Sequence, residues 1–191
     1  MTRAKRILTG VAIGLVLVAF VAGYFASPIL ALHSLTEAAK AGDRAKLERL
    51  VDFPAVRDSL KAQLKAVMTR AFEQDPELRD NPFAAFGQLL MVGVVDKAVD
   101  AFATPDAIAQ MVVTSRAPTN ISSSEQGPRV ETAKPRTKSD TEIRYGYQGL
   151  DRFKATYRDK ANPGEPAFGL TLERQGLFRW KLVRIDLTPQ T

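Results

Sequence analysis

The twenty residues from Ile7 to Ala26, ILTGVAIGLVLVAFVAGYFA, carry no charge and follow closely on Arg3, Lys5 and Arg6. A helix rises about 1.5 Å per residue, so this run reaches about 30 Å, the hydrocarbon thickness of a bilayer. The sequence therefore predicts a membrane tether before anything else. A cleaved secretory signal competes with an uncleaved anchor, since both start basic and turn apolar, and Val21-Ala22-Gly23 can serve as a small-residue cleavage site. The run is longer than the apolar core of a signal, and Tyr24 and Phe25 stand where an anchor places interfacial aromatics, which favours the anchor. Both readings export the remainder, because the positive-inside rule keeps residues 1–6 in the cytoplasm. In a Gram-negative cell this predicts a single-pass protein of the inner membrane with its C-terminal part in the periplasm.

Charge then narrows the partners of the exported part. Of the formal charge of +6, half comes from Arg3, Lys5 and Arg6, which leaves only about +3 beyond the anchor. Non-specific nucleic-acid binding does not follow from so small an excess. Cysteine is absent, which rules out a disulfide framework, a thiolate nucleophile and a cysteine metal site. The 165 residues from Ser27 to Thr191 suffice for one domain with its own core.

Helix signals fill the first half of this part. Ser27-Pro28 reads as a cap followed by proline in the first turn, starting a helix with Ile29, Leu32, Leu35 and Ala39 on one face and Gly42 as its stop. Asp43 caps a short helix over 44–51 with Leu47, Leu50 and Val51 inward, and Asp52-Phe53-Pro54 breaks it and starts the next. Over about 54–72, Val56, Leu60, Leu64, Val67, Met68 and Ala71 form one stripe, with Arg57, Lys61, Lys65 and Arg70 elsewhere on a solvated surface. Prolines and charges over 75–82 mark a loop.

The segment from Phe83 to Phe102 begins apolar nearly all round, FAAFGQLLMVGVV, and turns polar at Asp96, Lys97 and Asp100. Thirteen residues are short for a bilayer and include Gly87, Gln88 and Gly93, so a buried helix is the first expectation and a membrane-dipping or partner-binding helix, presenting Phe83, Phe86, Leu89 and Leu90, the second. Thr104-Pro105 opens a last short helix with Ile108, Met111 and Val112 inward.

From Thr114 to Asp140 large apolar residues nearly vanish, which predicts a flexible linker or long loop. The period then changes to two. Ile143, Tyr145 and Tyr147 alternate with polar positions, as do Phe153, Ala155 and Tyr157, then Phe168, Leu170 and Leu172. Asn162-Pro163-Gly164 and Gln175-Gly176 supply turns. In the last strand Phe178, Trp180 and Leu182 share one parity while Val183, Ile185 and Leu187 take the other, the signature of a bulge near Leu182 or of burial on both faces.

The run YFASPILALHSLTEAAKAGDRAKLERLVDFPAVRDSLKAQL, followed by NPFAAFGQLLMVGVVDKAVDAFATPDAIAQM, resembles an uncharacterised bacterial family, domain of unknown function 2939, over about Tyr24 to Val113. VDFPAVRDSLKAQL is its most specific piece. The resemblance implies an exported, membrane-anchored bacterial protein and supplies no activity, cofactor or catalytic residue. The order of elements, helices first and a sheet closing on RWKLVRIDL, also looks like cystatin-like or NTF2-like folds. In such a fold a curved sheet can enclose a cavity, to which Tyr145, Tyr147, Tyr157 and Trp180 would offer apolar walls with hydrogen-bonding tips, unless they fill the core.

No catalytic constellation stands out. The single histidine, His33, has only Ser34 beside it, and i+1 neighbours point to different sides of a helix. Asp96 and Asp100 share a helix face that could hold a hard cation, but Lys97 and the lack of further ligands favour a solvated or salt-bridged face. Gly-rich phosphate loops, HExxH and GxSxG are absent. The expectation is thus an α+β protein with no metal or cofactor site. It comprises a basic tail (1–6), an anchor in the lipid bilayer (7–26), a helical part of about four to five helices (27–113), a linker (114–140) and an antiparallel sheet of about four strands (141–191). Its expected role is a non-catalytic binding or interaction module for an envelope protein or small ligand. The alternatives are binding of an apolar ligand, or catalysis, inside the sheet's cavity, and a self-associating scaffold.

Overall fold

A computed structural model describes residues 3–74, 84–115, 121–124, 127–130, 141–160 and 167–187, with side chains described for all of these except 3–8, 84–91, 121–124 and 127–130. Five helices come first: α1 (Arg3–Ala41), α2 (Arg44–Leu50), α3 (Phe53–Gln74), α4 (Ala84–Phe102) and α5 (Pro105–Thr114). A two-stranded hairpin, β1 (Ile121–Ser124) and β2 (Gly127–Val130), lies within the stretch expected to be a linker. The chain then forms β3 (Thr141–Tyr147), β4 (Arg152–Asp159), β5 (Phe168–Arg174) and β6 (Trp180–Asp186), one antiparallel sheet in the order β3-β4-β5-β6.

The apolar run and the first helix of the domain are one rod. A new helix was expected at Ser27, yet α1 runs unbroken through Pro28. Proline lacks the N–H that would reach the carbonyl four residues back, that of Tyr24. The Ser27 hydroxyl replaces it, donating to the Tyr24 carbonyl at 2.8 Å. Ser27 is thus a backbone substitute rather than a cap. Every side chain from Thr9 to Gly23 is exposed, whereas beyond Ser27 the rod buries Pro28, Leu32, Leu35, Ala38 and Ala39. Ile29, expected inward, faces out, and Ala38 takes its place on the buried stripe. Gly42, in the left-handed region at φ 64°, ends the rod with paired bonds from Gly42 N to Ala39 O and from Asp43 N to Ala38 O.

Capping follows the sequence closely thereafter. Asp43 accepts from Lys46 N, Asp52 from Ala55 N and Thr104 from Ala107 N, with Pro105 opening α5. Val56 and Leu60 of α3 are buried, but Val67 and Ala71 on the same stripe are exposed. Lys61 and Lys65 of α3 meet Asp100 and Asp96 of α4, each at 2.8 Å. The two carboxylates that might have held a cation are therefore salt-bridged, and side-chain hydrogen bonding to Lys65 holds the Asp96 carboxyl below its ordinary pKa.

One face of the sheet carries Phe153, Ala155, Phe168, Leu170, Leu172, Leu182 and Ile185, which join the buried residues of all five helices in a single core. The expected bulge is present: Leu172 pairs with Leu182 but Thr171 pairs with Arg184, so Val183 is the extra residue. This is why the apolar parity switches within β6. The outer edge of β6 is covered, which removes a surface that could pair with another chain. Val51 bridges Leu182, Asp52 N donates to Leu182 O at 2.8 Å, and the Gln63 amide donates to Ile185 O at 2.7 Å while accepting from Leu187 N at 3.1 Å.

Candidate functional site

Polar positions alternate with the core residues along β4, β5 and β6 and so fall on the opposite face of the sheet. There the register sets Lys154 beside Thr171 and Thr171 beside Arg184, with Arg152 opposite Glu173. Helix α3 flanks this face and contributes Gln63, Ala66 and Arg70, closing a groove of about 730 Å³. That volume is in the range of small-molecule sites.

The groove is lined by four cations, Arg70, Arg152, Lys154 and Arg184, and two carboxylates, Glu173 and Asp186. Asp186 is only 5% exposed and is held by two cations, the Arg184 guanidinium and the Lys154 ammonium, the latter at 3.2 Å. Glycine at 169 makes this possible. A Cβ there would lie 3.1 Å from the Asp186 Cβ and 3.4 Å from the Lys154 Cε, in the space where their pair forms. Nearer the β5–β6 turn, Arg152 meets Glu173 at 3.3 Å. The excess of positive charge suits a polar molecule bearing negative charge. His33 lies elsewhere, exposed on α1 and 3.4 Å from Glu37, so the groove has no imidazole among its described residues.

The four aromatic candidates lie on the core face, across the sheet from this groove. Tyr157 and Trp180 are buried, while Tyr145 and Tyr147 on the edge strand β3 are exposed. Phe153 gathers three of them: Tyr145 stacks on it, and Tyr147 and Trp180 meet it edge-on. Tyr157 pairs with Phe168 instead. Of the partner candidates, Phe83 lies outside the described residues, and Phe86, Leu89 and Leu90 sit in α4 with side chains likewise outside them.

This aromatic cluster grips α1 where the apolar run ends. The Trp180 indole donates to the Ser27 hydroxyl at 2.8 Å, and the Tyr147 hydroxyl donates to the Phe25 carbonyl at 2.7 Å. The Arg174 guanidinium lies between two rings, 3.7 Å from Tyr24 and 4.2 Å from Trp180, a cation held by π faces on both sides. Sequence reasoning missed both Arg174 and the groove residues. The groove residues of the strands occupy the polar positions, where only the concentration of mixed charge at 152, 154, 184 and 186 gave a signal, and Arg174, at the end of the apolar parity of β5, reads as the point where that strand leaves the core.

Burial pushes the Tyr157 hydroxyl above the ordinary phenol range, with a smaller contribution from Tyr145. A phenol whose folded pKa exceeds its unfolded value contributes stability that is whole below the unfolded pKa, about 10, and is lost as pH rises beyond it. The denaturation midpoint is therefore expected to fall as pH rises from about 10 to about 12. Tyr157→Phe should flatten that fall, and an unchanged slope would show that Tyr157 ionises freely in the folded chain.

The sequence profile of a family described as protein of unknown function (DUF2939) matches residues 17–111. The matched segment starts within the apolar run and ends inside α5, so the sheet lies beyond it. No curated protein and no solved structure matches the chain.

Proposed function

The chain belongs, through residues 17–111, to the DUF2939 family of unknown function, and from its geometry we propose a single-pass protein of the bacterial envelope that holds a non-catalytic binding module at the outer face of the inner membrane. The observation that carries this is the division of α1. Its first part is long and apolar enough to cross a membrane and touches little of the protein, while its last part is core. An apolar rod with that much exposed surface is suited to lipid.

Signal sequences also place such a helix near the N-terminus. Here, however, the sheet packs on the residues around the cleavage position: Phe178 meets Phe20 edge-on, and Arg174 covers Tyr24. Removal of 1–23 would strip Phe20 from that contact, which supports retention of the whole rod. By the positive-inside rule, Arg3, Lys5 and Arg6 support a reading with the N-terminus in the cytoplasm and the domain in the periplasm.

The binding role rests on the groove, whose lining favours a polar, negatively charged partner over an apolar one. A photo-crosslinking residue at Ala66, in intact cells, tests it. One dominant adduct with a different molecule is expected, and Arg70→Glu with Arg152→Glu should abolish it. An adduct indifferent to those charges, or none, would contradict the groove. An adduct of the chain with itself would instead indicate a self-associating scaffold.

A further inference from the structure

We propose that the end of the sheet nearest α1 dips into the outer leaflet, so that the domain is seated on the bilayer surface rather than merely tethered above it. The β3–β4 turn (148–151) and the β5–β6 turn (175–179) lie side by side at this end, joined where Arg174 N donates to Asp151 O at 2.8 Å and the Arg174 guanidinium donates to Leu150 O at 3.3 Å. Their tips carry exposed apolar side chains: Leu150 is 66% exposed, Leu177 62% and Phe178 46%.

What covers them follows from where they touch α1. Phe178 meets the Phe20 ring at 5.5 Å and lies 4.0 Å from where a Cβ on Gly23 would stand. Phe20 precedes Ala26, the end of the apolar run, by six residues, or about 9 Å along the helix. A turn that contacts Phe20 therefore lies at the level of the run itself, not above it. Interfacial elements bury their apolar side chains about 5–10 Å into the headgroup and acyl boundary, which is the depth this contact sets.

The chemistry around the tips matches that depth. Arg152 and Arg179 are exposed and Lys181 half-exposed just behind the apolar residues, at the height of lipid phosphates, with Asp151 and Glu173 the acidic residues beside them among the described residues. Tyr24 and Tyr147, side chains suited to the membrane interface, lie at this same end of the sheet. The Arg174 clamp and the Trp180–Ser27 bond fix this end of the sheet to the rod, so the turns hold their depth wherever the rod holds its own.

The inference rests on the membrane-crossing reading of α1, and the test separates the two. The chain has no cysteine, so single cysteines carry a nitroxide without background. The full chain, reconstituted in phosphatidylcholine–phosphatidylglycerol vesicles, is labelled in turn at Leu150→Cys, Leu177→Cys, Val16→Cys and Lys160→Cys, and collision with oxygen is compared with collision with a water-soluble nickel chelate. All four positions are exposed, so the labels displace no core residue. A several-fold higher oxygen-to-nickel ratio is expected at 150 and 177 than at 160, and the highest ratio at 16. Ratios at 150 and 177 equal to that at 160, with 16 still high, would overturn the seating and leave the anchor standing. A low ratio at 16 would overturn both.

Discussion

Trp180→Ala is expected to release the sheet from α1 and to destabilise the domain by about 3–5 kcal/mol, the usual cost of truncating a buried large aromatic. The indole is 3% exposed, packs against Phe153 and Tyr147, covers Arg174 and donates to Ser27. Its removal thus opens a cavity and frees one face of a guanidinium whose side chain is otherwise buried. Every 1.4 kcal/mol is a factor of ten, so amide exchange of β5 and β6 in the detergent-solubilised full chain should accelerate by about two to three and a half orders of magnitude. Trp180→Phe should recover most of that protection, losing chiefly the hydrogen bond, worth about 1 kcal/mol. Exchange in Trp180→Ala indistinguishable from the parent would mean that the sheet does not depend on this contact.

The second large effect is on the membrane. Val16 and Leu17 stand at the middle of the apolar run and contact no core residue. Val16→Asp together with Leu17→Asp therefore leaves the fold untouched while charging the centre of the span. At about 2.5–3.5 kcal/mol for each aspartate at a helix centre, the pair opposes insertion by about 5–7 kcal/mol. The variant is expected to leave the membrane fraction, whereas Val16→Leu should stay in it. Equal partitioning of the aspartate variant and the parent after sedimentation would show that the run is held by protein rather than lipid.

These effects show how far the residues announce the structure. The helices over 44–50, 53–74 and 105–114 were legible because each is opened by a residue with a local task, Asp43, Asp52 and Thr104, whose oxygen bonds an amide three positions on. The core face of the sheet was legible through its period of two, and the bulge at Val183 through the switch of parity after it. Ser27-Pro28 misled because the pair that starts many helices also allows one to continue, provided the serine hydroxyl bonds the carbonyl that proline leaves open. That outcome depends on Trp180, which lies 153 positions away and holds the same hydroxyl. The groove was hidden for a similar reason. It arises where α3 crosses beside β6, a tertiary event fixed by Gln63 bonding the strand's edge, and the mixed charge near Lys154 and Asp186 in the sequence does not report it. The aromatic candidates were visible as types, but their place on the core face depended on register, which sequence parity gives only relative to an unknown interior.

The central claim is that α1 is a single rod, its first part in lipid and its last part in the core of a domain on the far side. Labelling of single cysteines by a membrane-impermeant maleimide in intact spheroplasts tests it most directly. With the cysteine at Lys40, exposed near the end of the rod, modification should be complete without lysis, and with the cysteine at Arg3 it should require lysis. Modification at Lys40 only after lysis would contradict the account.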